Sequence, residues 1–85
     1  MVSSGCAAVS LAGRDKDTYY AVVSADDIYV YVCDGKHHPL DNPKRKNPKH
    51  IMAVGVDLTK EQMASDRTLR KALAQIRDAM QVKEE

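Results

Sequence analysis

The chain has 85 residues, of which 44 % are apolar and 29 % charged. A chain of this length buries only about 60–65 % of the surface its unfolded form exposes, so one small core is expected. The apolar content argues against a disordered chain, and no apolar run approaches the ~18–20 residues of a membrane-spanning helix. The net charge of +1 hides a segregation: residues 36–50 hold five Lys or Arg against one acid, Asp41, while the rest hold eight bases against eleven acids. All three histidines, His37, His38 and His50, fall in the basic third.

Residues 1–4 are expected to fray. Val2-Ser3-Ser4-Gly5 stands where a secretory signal would place a charged start and an apolar h-region, which predicts a cytoplasmic protein. Residues 6–11 read as a first strand, and residues 18–23, rich in Tyr and Val, as a second. A turn at residues 24–27 leads into the clearest strand, residues 28–33, whose period of two puts Ile28, Val30 and Val32 on a core face and Tyr29, Tyr31 and Cys33 on the other. Cys6 and Cys33 both sit in apolar runs and are expected as buried, reduced thiols. Asp34-Gly35 is a hairpin signal, so residues 36–40 should return as a short antiparallel strand.

Pro43 and Pro48 bracket Lys44-Arg45-Lys46-Asn47, which predicts a loop or an edge with its cations exposed. Residues 49–54 read as a closing strand ended by Gly55. Thr59 is placed to cap a short turn through Glu61, Gln62 and Met63. The period then changes to 3.6, with Leu69, Ala72, Leu73, Ile76 and Met80 forming one stripe of a helix capped by Asp66. The expected fold is mostly β, a small SH3-like barrel of about five short strands over residues 5–55, followed by a C-terminal helical appendage over residues 56–85.

Two stretches carry the chemistry. The first is the charged loop Ala12-Gly13-Arg14-Asp15-Lys16-Asp17; the second is the basic segment, Lys36 with Lys44, Arg45, Lys46, Lys49 and His50. Lysines and arginines on an extended segment suit phosphates, because each neutralised phosphate releases counterions and Arg can engage two oxygens at once. The bland reading of the segment is a solvated loop. In the charged loop, Arg14 and Lys16 alternate with Asp15 and Asp17, so RNA contact and a structural Asx-turn around Asp15 both stand.

Taken in order, residues 5–11, the Gly13-Arg14-Asp15-Lys16 loop, Tyr20 to Val23, Asp34-Gly35-Lys36, residues 42–47 and Lys49-His50 resemble the KOW-domain RNA-binding proteins of bacteria, themselves similar to KOW-bearing large-subunit ribosomal proteins of archaea and eukaryotes. The resemblance covers residues 5–54. It implies an SH3-like KOW barrel that binds structured RNA, ribosomal RNA or the ribosome, in translation, through Gly13, Arg14, Lys16, Lys36, Lys44, Arg45, Lys46, Lys49 and His50. Asp17 stands where the family pattern has glycine, and Asp tolerates positive φ better than most residues.

The other constellations are weaker. Tyr19, Tyr20, Tyr29 and Tyr31 offer either stacking surfaces for bases or ordinary packing. His37, His38, His50 and Cys33 lack the spacing of a preformed zinc site, so no metal or other cofactor is expected. No nucleophile elbow, phosphate-cradling glycine loop or paired carboxylates point to an enzyme or to a small-molecule substrate. The helical stripe docks on the barrel or meets a partner, and Arg67, Arg70, Lys71 and Arg77 on its outer face either extend an RNA surface or solvate it. The expected function is non-catalytic RNA binding, with a protein-interaction module that recruits a translation or transcription factor as the alternative.

Overall fold

A computed structural model describes residues 4–81. The expectation for the N-terminus falls on residues 1–3, outside the described residues; Ser4 Oγ lies 3.2 Å from the Val23 carbonyl. Five strands, β1 (Cys6–Ser10), β2 (Tyr19–Ala25), β3 (Val30–Cys33), β4 (Lys44–Lys46) and β5 (Ile51–Asp57), form one antiparallel sheet in the order β4-β3-β2-β1-β5. A 3-10 turn, Pro48–His50, joins β4 to β5, and the chain ends in helix α1 (Asp66–Met80). None of the described helices is long and apolar enough to cross a membrane.

Strand order and connection length together force the sheet to curl. β4 and β5 are its two edges, ~19 Å apart in a flat five-stranded sheet. Yet Lys46 and Ile51 are joined by a segment that reaches ~17 Å when fully extended and here contains a compact turn. The curl buries one face against itself: Cys6, Ala8, Tyr20, Val22, Val30, Val32 and Ile51 form a cluster in which Val22 and Val32 are 0 % exposed. The opposite face takes the helix, where Leu69, Ala72 and Leu73 pack with Ala7, Ala21, Cys33 and Leu58. The helix therefore docks in cis, and β1 is buried at all five positions because both faces and both edges are covered. Both thiols are free and buried.

Several boundaries differ from the sequence reading. Residues 36–40 are not a strand: Asp34 Oδ1 accepts from Lys36 N and His38 N, winding the chain into a local turn, and the partner of β3 is instead Lys44–Lys46. Pro43 and Pro48 thus flank a short edge strand, where missing N–H groups cost no ladder bond. Ile28 is 67 % exposed rather than in the core, since β3 starts only at Val30 and Asp26 Oδ1 accepts from Ile28 N and Tyr29 N to hold a turn. β5 does not stop at Gly55. Cys6 pairs with Asp57 and Ala8 with Ala53, so β5 advances four residues while β1 advances two, and Gly55 at φ 81° absorbs the bulge.

The helix cap is Ser65, not Asp66: Ser65 Oγ accepts from Thr68 N, and Thr68 Oγ1 accepts from Ser65 N, a reciprocal capping box. Asp66 lies one residue inside, and its carboxylate accepts from Leu40 N at 2.7 Å. Met80 leaves the stripe and is 40 % exposed. Thr59 behaves as expected, with Thr59 Oγ1 accepting from Gln62 N while Gln62 Oε1 accepts from Thr59 N.

Candidate nucleic-acid interface

Residues paired across antiparallel strands share a face, and this places the basic segment. Val30 pairs with Lys46 and Val32 with Lys44, so both lysines point to the same side as the self-buried cluster; Tyr31 pairs with Arg45, which points to the other side. The expectation that the cations of this segment are exposed together is therefore corrected. Lys46 is buried at 8 %, Lys44 is half-buried, and Arg45 is exposed on the opposite face with its guanidinium 4.4 Å from the centre of the Tyr29 ring. The physical reason is the alternation of a strand: three consecutive cations on β structure cannot all face one way.

The two lysines converge on Asp15. Lys44 Nζ lies 3.0 Å from Asp15 Oδ2 and Lys46 Nζ 2.9 Å from Oδ1. The Tyr20 hydroxyl donates to Oδ2 at 2.7 Å, and the buried Ser10 hydroxyl lies 2.9 Å from Oδ1 and 3.1 Å from the Ala12 carbonyl. Burial works against the charge on Asp15, but hydrogen bonds from Tyr20, Lys46, Lys44 and Ser10 outweigh it and hold the carboxyl well below the usual carboxylate range. Burial, and then the bond to Asp15, push the Tyr20 hydroxyl well above its ordinary value. The expected structural role of Asp15 is present in a different form, with side-chain donors in place of the loop N–H groups of an Asx-turn. A polar plug closes one end of an apolar interior.

That plug shapes the charged loop. Gly13 has φ 89° and Asp17 φ 73°, the one positive φ outside glycine among the described residues, and Asp17 N donates to the Ser10 carbonyl. Asp17 thus takes the left-handed conformation that closes the turn. Asp15 turns inward to the two lysines, while its neighbours Arg14 and Lys16 are exposed.

The remaining site residues distribute around this end. Lys36 is exposed in the turn that Asp34 builds, and two clefts that share Thr18 and Asp34 join that turn to the charged loop. Leu11 N donates to the His50 carbonyl, which seats the 3-10 turn carrying Lys49 and His50 beside the start of the loop; both are exposed. His38 packs its ring 6.2 Å from that of Tyr20, while His37 is exposed with Nδ1 3.8 Å from Asp34. The Cys33 thiol lies 3.2 Å from the Pro39 carbonyl, and burial together with Asp66, Asp34 and Asp41 pushes it up to about 11. Among the described residues no three His, Cys, Asp or Glu side chains are grouped to hold a metal.

No protein-family model and no curated protein matches the chain. Sequence reasoning missed the Asp15 plug, although it left a trace: Lys44 and Lys46 stand two apart, the spacing that Val30 and Val32 use to reach the interior. Arg70, expected only as one of the outer-face cations of the helix, has a partner that the sequence did not reveal: its Nη1 donates to the Gly35 carbonyl at 2.8 Å and so turns toward the Lys36 turn.

Proposed function

We propose that the protein binds structured RNA without catalysing a reaction, as a cytoplasmic, KOW-type protein working on ribosomal RNA or the ribosome. The observation that carries this reading is the division of labour in the charged loop: Asp15, the acid between the two cations, is drawn into the plug by four side chains, while Arg14 and Lys16 stay at the surface with Asp17 the one acid of the loop beside them. Arg14, Lys16 and Lys36, with Lys49 and His50 further along, supply phosphate contacts on a preorganised rim. Lys44 and Lys46 serve by holding Asp15 rather than by touching phosphate. Specificity comes from shape, because the major groove of A-form RNA is closed to side chains. The test is a salt titration of binding to a structured ribosomal RNA fragment. Changing Arg14, Lys16 and Lys36 together to Ala should flatten the log–log salt slope by about two to three. An unchanged slope would remove the rim from the interface.

One observation favours the protein-interaction alternative. Ile28 and Met52 are 67 % and 51 % exposed, and Met52 lines a cleft of about 700 Å³ with Val30, Pro48 and Ile51 and the acids Asp26 and Asp27. A translation or transcription factor that stays bound at high salt and after nuclease treatment, and is lost in Ile28→Ser/Met52→Ser, would favour this reading.

A further inference from the structure

A second cleft, of about 360 Å³, lies between the end of the charged loop, the Lys36 turn and helix α1. Its size falls in the ~300–1,000 Å³ range of small-ligand sites. Its two walls differ in character. The helix wall brings Arg70, Leu73 and Arg77, with Lys36 adjoining; the loop wall brings Asp17 and the half-buried Tyr19. Arg70 and Arg77 are seven residues apart, ~10.5 Å along the helix and on nearly the same face. Arg70 is already oriented by the Gly35 carbonyl, and Arg77 reaches its neighbour Asp78 only at 3.4 Å, in a pair exposed on both sides.

The cleft also contains two acids, and their states differ. Asp34 has Oδ1 occupied by Lys36 N and His38 N. Asp17 is exposed, and its positive φ is a conformation that a tight turn imposes. A carboxylate there repels phosphate and accepts from N–H groups. The ligand that suits both walls is therefore bipolar, with an anion for the cations on one side and a flat ring bearing N–H donors for Tyr19 and Asp17 on the other.

We infer that this cleft takes a single unpaired nucleotide, its phosphate on Lys36, Arg70 and Arg77 and its base on the accessible part of the half-buried Tyr19 ring, with Asp17 accepting from the base edge. The inference rests on the RNA-binding reading and adds that the protein prefers RNA with an extruded residue over a continuous helix. Aromatic stacking and one fixed phosphate suffice for a preference of about tenfold. The test compares, by fluorescence anisotropy, one RNA hairpin with and without a single bulged nucleotide, using the full chain and its Arg77→Gln variant. The bulged hairpin should bind about tenfold tighter to the full chain, and Arg77→Gln should erase that difference while binding the continuous hairpin as before. Equal affinity for the two hairpins overturns the cleft assignment and leaves the RNA reading standing, as does a bulge preference that survives Arg77→Gln. Binding to neither hairpin overturns both.

Discussion

Asp15 and Lys46, 31 residues apart in sequence, meet at 2.9 Å at one end of the sheet, where the lysine is 8 % and the carboxylate 15 % exposed. A buried ammonium without a counter-charge is costly, so the partners should respond unequally to substitution. Asp15→Asn strands two ammonium groups and should cost about 2–4 kcal/mol. Lys46→Met keeps the volume and leaves Lys44 on Asp15, so about 1–2 kcal/mol is expected. Urea unfolding of the two variants checks the order, and the reverse order would mean that the plug is not organised around the acid.

The same cluster sets stability at both ends of the pH scale. Asp15 titrates lower in the folded state than its ordinary ~3.9, so the unfolded chain binds more protons in acid. Its contribution is complete above the unfolded value and is lost as pH falls below ~4. Tyr20 titrates higher in the folded state than its ordinary ~10, so the unfolded chain ionises first and stability is lost as pH rises past ~10. Unfolding midpoints across this range should form a plateau with two shoulders; Asp15→Asn should flatten the acid shoulder.

Gly35 and Gly55 both have positive φ, yet they should tolerate alanine differently. A Cβ on Gly35 would collide with the Asp66 backbone carbonyl at the start of the helix, whereas one on Gly55 meets open space. Gly55→Ala should cost only the backbone term, ~1–2 kcal/mol. Gly35→Ala should cost ~3 kcal/mol or more, because the helix start must also shift. Thermal unfolding of the pair separates the two effects.

Two neighbouring residues at the helix start do different work. Ser65→Ala removes the cap and should cost ~1 kcal/mol. Asp66→Ala leaves the cap but frees Leu40 N, so it should loosen residues 36–42. Amide hydrogen exchange reads this directly, with faster exchange at Leu40 in Asp66→Ala and unchanged exchange there in Ser65→Ala.

Much of the fold is legible in the residues because period and composition act locally. The Tyr and Val run of β2, the alternation from Val30 to Cys33 and the helical stripe from Leu69 to Ile76 each signal their own element. The errors arise where a distant partner decides. Asp34-Gly35 looks like the start of a hairpin, but the Asp34 carboxylate and the docking of Asp66 on Leu40 hold residues 36–40 off the sheet. Ser65 and Asp66 are both good capping types, and reciprocity with Thr68 chooses between them. At the candidate site, the loop and its exposed Arg14 and Lys16 could be found from sequence. That Asp15 would draw Lys44 and Lys46 inward could not, because nothing local records which acid two strand lysines will meet.

Open sheets invite copies of themselves, since each rim presents unused N–H and C=O groups to any passing strand. Here both rims are poor templates. β4 is three residues long, cationic and flanked by prolines, while the glycine bulge of β5 breaks its row of backbone groups part-way along. The kink that lets β5 follow β1 is thus also a guard against chain-to-chain pairing. Filling it with a regular residue would favour aggregation as well as strain.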